Sequence, residues 1–188
     1  KTNVDKKEVQ EKIEELEKII ENNEAQYLKY AYLSWKVYSV LENNGVDEAF
    51  ELIKGCGLTF NVEKNPINDT LYAFYARILI EKKQYEKAEE MLIELHNLAE
   101  GSGRIERLLD LKMIFANLYE KSGRREEAIE YLQKAIELAA PEKIVMYIVY
   151  NIDFNEELMK EILNMKSAQE NISKEFIDKL KKAIKQLN

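Results

Sequence analysis

The sequence predicts an all-α chain, an α-solenoid of paired helices shared along one axis. Three observations predict it. Apolar residues recur at helical spacing through most of the chain. Only 6 Gly and 2 Pro among 188 residues leave few places to break helices. A small-residue signature also returns at a nearly fixed interval: alanines at 49, 88 and 128, 39 and then 40 residues apart, each follow an acidic or basic residue early in a short amphipathic run.

The stretch Ile105 to Pro141 shows the unit most clearly. Leu109, Lys112, Phe115, Ala116 and Tyr119 form one stripe, with the Lys112 stem covering apolar surface. Ser122-Gly123-Arg124 breaks the pattern. Ala128, Leu132, Ala135 and Ile136 form a second stripe, and Pro141 is read as its stop. Small residues let two backbones approach, while Phe115, Tyr119 and Leu132 fill the space beside them. The unit resembles a tetratricopeptide helical hairpin, which implies a right-handed superhelix of such hairpins. Its repeat of ~40 residues exceeds the ~34 of the plain tetratricopeptide repeat. The extra residues are placed between hairpins, at Leu58–Asp69 and Gly101–Gly103. One hairpin cannot bury its apolar face alone, so it needs neighbours.

The chain divides on this reading into an N-terminal charged helix (1–24), three hairpins (25–141) and C-terminal capping helices (142–188). In the first, Val9, Ile13, Leu16 and Ile20 make a narrow stripe that suits a docking helix better than a coiled coil of barely two heptads. Ala25 to Leu41 is dense in aromatics, with Tyr27, Tyr30, Tyr32, Trp35 and Tyr38. They spread around the helix, so core packing and a binding surface both remain open for them. Asp47 to Lys54 returns, and Gly55-Cys56-Gly57 ends it. Pro66 and three Asn mark Leu58–Asp69 as a loop. Asn68-Asp69-Thr70 offers caps for a helix Leu71–Glu81 with Tyr72, Tyr75, Ala76 and Leu79 inward. Gln84 to Ala99 returns with Ala88, Leu92, Leu95 and Leu98 inward.

Past Pro141, a helix Glu142–Tyr150 is expected, although Ile144, Val145, Ile148 and Val149 also admit a strand. A break follows at Asn151–Asn155, then a helix Glu156–Lys166. Ser173 caps a final helix, Lys174–Leu187, with Phe176, Leu180, Ala183 and Ile184 inward. Its Lys179, Lys181, Lys182 and Lys185 read as a solvated helix end, or else as a basic contact patch.

Composition excludes several functions. The net charge of −7 argues against a chain that holds nucleic acid through its phosphates. No apolar run approaches a membrane span, and Lys1 to Glu24 is too charged for a signal peptide. The single Cys56 suits a reducing cytoplasm. His96 is the only histidine and has no second ligand at metal spacing. Gly101-Ser102-Gly103 lacks a preceding strand and a phosphate-loop Lys. No nucleophile–base pair, metal cluster or cofactor loop emerges, so the chain reads as a binder without cofactor and not as an enzyme. It begins with Lys1 rather than Met, which suits a piece of a longer protein or a processed product.

The order of these features resembles the sensor region of MalT-type transcription activators of the LuxR family. The carrying residues are the Tyr72–Leu79 helix, the Gln84-Tyr85-Glu86-Lys87-Ala88 return, the Gly103 turn and Gly123…Glu127-Ala128…Leu138-Ala139-Ala140-Pro141-Glu142. An aromatic, Asp-containing stretch from Tyr147 to Phe154 and the pattern from Ser173 to Leu180 extend it. The resemblance implies an effector-sensing, self-associating domain between an ATPase module and a DNA-binding helix-turn-helix. This sequence carries neither a phosphate-loop motif nor a recognition-helix pattern, so neither activity transfers to any residue here. The alternative is a free-standing scaffold that grips a peptide.

Either way, ligand contacts would come from off-stripe residues on the first helix of each pair: Trp35 and Tyr38, Phe74 and Arg77, then Asp110, Met113 and Asn117. Aromatic faces suit a sugar ring or an apolar side chain, and the polar groups would orient it. The partners implied are a small effector or a protein, with DNA reached only through a domain outside this chain.

Overall fold

In the computed structural model, which describes residues 15–20, 25–58, 63–151, 156–165 and 172–186, every regular element is an α-helix; the described residues contain no strand. The helices are α1 (15–20), α2 (Gln26–Asn43), α3 (Val46–Gly55), α4 (Asp69–Glu81), α5 (Tyr85–Gly101), α6 (Ile105–Lys121), α7 (Arg125–Glu142), α8 (Val145–Tyr150), α9 (Glu156–Ile162) and α10 (Lys174–Lys185). The all-α, hairpin-built class therefore holds. The strand alternative at 144–149 does not, because Val145–Tyr150 is helical. Most of the expected N-terminal helix, Val9 and Ile13 included, part of the loop Leu58–Asp69 (59–62), most of the break Asn151–Asn155 (152–155), Lys166 and Leu187 lie outside the described residues.

The chain forms two compact units, Lys1–Phe74 and Tyr75–Asn188. In the first, α2 packs on α3, with Val37, Ala49 and Ile53 fully buried. Ala49 has no side chain beyond Cβ, so the two backbones close on it. Glu17 of α1 ties down α2 by accepting from Lys36 Nζ at 2.7 Å and from the Tyr32 hydroxyl. Asn68, expected as a forward cap, faces backward instead. Its Oδ1 accepts from the Asn65 amide at 2.8 Å and its Nδ2 donates to the Glu63 carbonyl at 3.0 Å, which closes the loop before α4.

In the second unit α6 is the central rod. It packs against α5 and more extensively against α7. Leu109 to Leu111 and Met113 to Tyr119 are all buried, so α6 is enclosed on every side and not along one stripe alone. Ala88 of α5 and Ala128, Ala135 and Ala139 of α7 are fully buried at these seams. Phe115 and Tyr119 meet Tyr131 of α7 with ring centroids 4.7 and 5.2 Å apart. Further along, α9 packs on α7 and α10 on α8. Ser173 caps α10 as its position predicts, with Oγ accepting from the Phe176 amide at 3.3 Å.

Four turns in this unit share one geometry. Lys83, Gly103, Gly123 and Lys143 have φ of 58, 64, 80 and 55°, and each stands 20 residues after the one before. The following residue donates its amide to a carbonyl five positions back: Gln84 to Leu79, Arg104 to Ala99, Arg124 to Tyr119 and Ile144 to Ala139, at 2.8–3.1 Å. Each left-handed residue also donates its own amide to the carbonyl three positions back, and the two bonds satisfy carbonyls that a helix end otherwise leaves open. The shared turn also corrects the sequence reading of the second interval, from Ala88 to Ala128. The residues beyond the tetratricopeptide period there do not sit in the Gly101–Gly103 turn, which is as short as the others, but in the helices, which run 17, 17 and 18 residues in α5, α6 and α7. In the first interval, from Ala49 to Ala88, α3 and α4 run 10 and 13 residues and the longer connection lies between Gly55 and Asp69, as expected.

Pro141 likewise is not the stop. It sits inside α7, one residue from its end, and the chain leaves the helix at left-handed Lys143. A proline costs one intrahelical bond and kinks the helix wherever it stands past the first turn, but here only Glu142 follows it in α7, so little helix lies beyond the kink. Accordingly α8 starts at Val145 and not at Glu142.

Candidate functional site

The sequence-selected residues fall in both units. In the first, Trp35 and Tyr38 are 45% and 48% exposed. Each is held by a ring neighbour: Trp35 by Tyr32 at 5.9 Å and Tyr38 by Phe74 at 5.8 Å between centroids. These tilted contacts lower the entropy cost of presenting an aromatic face to water. Nearby, Glu17, Ile20, Lys29, Tyr32, Leu33, Lys36 and Cys56 line a cavity of about 580 Å3. Burial pushes the Cys56 thiol up, with Lys36 opposing, so the thiol stays protonated and weakly reactive at neutral pH.

In the second unit the selected residues converge on α6. Asp110, Met113 and Asn117 lie on one face of that helix and are all buried. Arg77, on the last turns of α4, donates from Nη2 to Asp110 Oδ1 at 2.7 Å. Arg107, one turn before Asp110, donates from Nη1 to Oδ2 at 2.8 Å. The carboxylate thus bridges two guanidinium groups, and all three side chains are at most 17% exposed. Asn117 is buried, and its Oδ1 has no hydrogen-bond partner among the described residues.

Tyr147 of α8 joins this group. Burial, then the charge of Asp110, pushes its phenol up to about 12, while Arg107 and Arg77 pull the other way. Its hydroxyl therefore remains a neutral donor at physiological pH. Beside the group opens a cavity of about 500 Å3 lined by Gly103, Arg104, Ile105, Glu106, Arg107 and Tyr147. Sequence reasoning did not select Arg107, Arg104 or Tyr147. Arg107 carried a usable signal, since it precedes Asp110 by three positions on one helix. Tyr147 carried none, because only the packing of α8 brings it there.

Two further groups hold the α5–α7 seams. Arg124 stacks on the Tyr119 ring at 4.3 Å and donates to Glu89 at 2.8 Å, and the Tyr119 hydroxyl donates to the same Glu89 at 2.9 Å. His96 Nε2 lies 3.3 Å from Lys112 Nζ and meets Phe115 edge-on. Burial and then the Lys112 charge hold the His96 imidazole below its ordinary value. Among the described residues no group of His, Cys, Asp or Glu is placed to hold a metal ion.

The residues gathered here present charged and hydrogen-bonding groups, two guanidiniums, a carboxylate, an amide and a phenol, within one part of the second unit. No curated protein and no solved structure matches the chain significantly. A family model does, described as the MalT-like TPR region, and it takes in residues 4–152, which include α1 to α8. With most of its length inside that match, and with its helices ordered in hairpins as described, the chain belongs to the family of MalT-like TPR regions.

Proposed function

We propose that this chain is the effector-sensing and self-association region of a LuxR-type transcription regulator, binding a small ligand or a partner and leaving DNA to another domain. The observation that carries the reading is the polar row on α6. Asp110 and Asn117 are buried on a helix whose other enclosed residues are apolar apart from a tyrosine hydroxyl. Asp110 is matched by Arg77 and Arg107, but Asn117 Oδ1 is not matched among the described residues, and an unmatched buried polar atom costs stability, which supports a use for it beyond packing. The net charge of −7 and the absence of a helix long and apolar enough to cross a membrane, among the described residues, agree with a role in binding away from lipid and phosphate backbones. Activity is by recognition, without catalysis and without cofactor.

The exposed Trp35 and Tyr38 favour a second reading, a scaffold that grips a peptide. Trp35 is the only tryptophan, so its fluorescence reports on ligand directly. In a metabolite screen read by calorimetry and sedimentation, the sensor reading expects one small molecule to bind and to change the oligomeric state. Arg77→Ala should weaken that binding while the helical circular dichroism is kept. Wild-type binding by this variant would remove Arg77 from the site, and Trp35→Ala tests the separate face of the first unit in the same way. A peptide partner with no response to metabolites would transfer the function to the scaffold reading.

A further inference from the structure

Lys112 of α6 stands in a setting unlike that of the lysines on the helix surfaces. Its Nζ lies 3.3 Å from His96 Nε2 of α5. An ammonium carries only donors, so Nε2 accepts, and the imidazole is neutral with its proton on Nδ1. Among the described residues no carboxylate pairs with Lys112. By contrast, Lys134 of α7 is tied to Glu130 at 2.5 Å and Lys121 of α6 to Glu81 at 2.6 Å. Lys112 and His96 are both partly exposed, so the amine is open to solvent. Phe115 meets the imidazole edge-on, with centroids 6.3 Å apart, and limits its rotation. Burial, then the charge of Lys134, holds the Lys112 ammonium below its ordinary value, with Glu100 of α5 opposing. A lysine with a neutral base beside it and no carboxylate to hold its proton is a nucleophile in waiting.

We propose that Lys112 is a site of covalent acylation by an activated acyl group, an acyl phosphate or a thioester. The site lies on the opposite face of α6 from Asp110, Met113 and Asn117 and does not depend on the binding function argued above. The free-amine form of Lys112 keeps one N–H on His96 Nε2, which turns its lone pair away from the imidazole. That pair attacks the acyl carbonyl carbon, and a C–N bond forms. The carbon–oxygen bond to phosphate, or the carbon–sulfur bond of the thioester, breaks, and the leaving group takes the bonding electrons. The surplus proton on nitrogen passes to His96 Nε2 and from there to water. The product is an uncharged amide. Its formation breaks no ion pair, and it removes one of the two ammonium groups, Lys112 and Lys134, that oppose protonation of His96.

The test exposes the whole chain to limiting acetyl phosphate, and separately to an acetyl thioester of N-acetylcysteamine, and follows each lysine by peptide mass spectrometry. Lys112 should be acetylated about threefold or more faster than Lys121 and Lys134, since each unit of lowered pKa gives about ten times more free amine. The donor that shows this preference identifies the acyl source. His96→Gln keeps an acceptor but cannot take the proton. In that variant acetylation of Lys112 should fall several-fold, with helical circular dichroism and the rate at Lys121 unchanged. Acetylation of wild-type Lys112 should also raise the titration midpoint of the His96 ring protons in NMR, and as the only histidine its signals are identified at once. Lys112 reacting no faster than Lys121 and Lys134 with either donor overturns the proposal. So does a folded His96→Gln variant that reacts as fast as wild type, or a His96 midpoint that acetylation of Lys112 leaves unmoved. If His96→Gln fails to fold, the wild-type rates and the NMR midpoint decide.

Discussion

Arg77 of α4 donates to Asp110 of α6 at 2.7 Å across 33 residues of chain, and the same carboxylate receives Arg107 at 2.8 Å. The pair is a buried charge contact rather than a surface one, with side-chain exposures of 12% and 9%. Removing only the acid takes away the carboxylate that both guanidinium groups share. Asp110→Leu should cost about 3 kcal/mol, while Arg77→Met with Asp110→Leu should recover part of that loss. Urea midpoints of the two variants check it. Equal losses in both would mean that the ion pair contributes no coupling.

The repeated turns allow a test of backbone strain. Lys83 and Lys143 occupy a left-handed region that costs a side-chain residue about 1 kcal/mol more than glycine. Lys83→Gly and Lys143→Gly should each stabilise the fold by up to that amount, less the added entropy of the unfolded chain. Gly123→Ala should destabilise by about 1 kcal/mol, even though no atom lies within 4 Å of the added Cβ. Thermal midpoints distinguish the three from wild type.

His96 sets a pH dependence of known sign. Its folded pKa is lowered by burial and by Lys112, so the unfolded chain binds the proton more readily. Its contribution is present above the unfolded value of about 6.5 and is lost as pH falls from there toward the lower folded value. Lys134 of α7 adds to the repulsion, and Glu100 of α5 opposes it. His96→Gln should flatten this part of the stability profile. Urea midpoints of both proteins between pH 5 and 8 would show it, and parallel profiles would refute the assignment.

The alanines at the helix seams are close-approach positions, not merely good helix formers. Ala88 and Ala128 are fully buried, so Ala128→Leu should cost about 1–3 kcal/mol through overpacking. Glu126→Leu, two positions earlier and exposed, should stay within about 0.5 kcal/mol of wild type. Similar effects at both positions in a chemical denaturation series would contradict the close-packed seam.

Much of the fold was legible because helical periodicity is a local property. Ala49, Ala88 and Ala128 marked the close contacts, and Ser173 marked a helix start, since a cap acts within one turn. The turns were harder. Gly123 announces a left-handed residue, but Lys83 and Lys143 do so only through their position 20 residues from the next glycine turn. Pro141 misled because its cost depends on how near it stands to a helix end.

The candidate site was legible in part. Asp110, Met113 and Asn117 could be placed together from the i, i+3, i+7 spacing on one helix. Their enclosure could not, because periodicity describes one face and α6 is packed on all of them.

By itself, then, the sequence determined an all-helical chain of hairpins, where most helices begin and end, and which alanines lie at the seams. These follow from backbone preference and side-chain spacing within a few turns. Only the tertiary structure decided that Asp110 serves both Arg77 and Arg107, that Tyr147 closes the group from α8, and that a cavity opens beside them. Apart from Arg107, three positions before Asp110, those contacts join residues tens of positions apart, and their energies depend on burial, which no local pattern encodes.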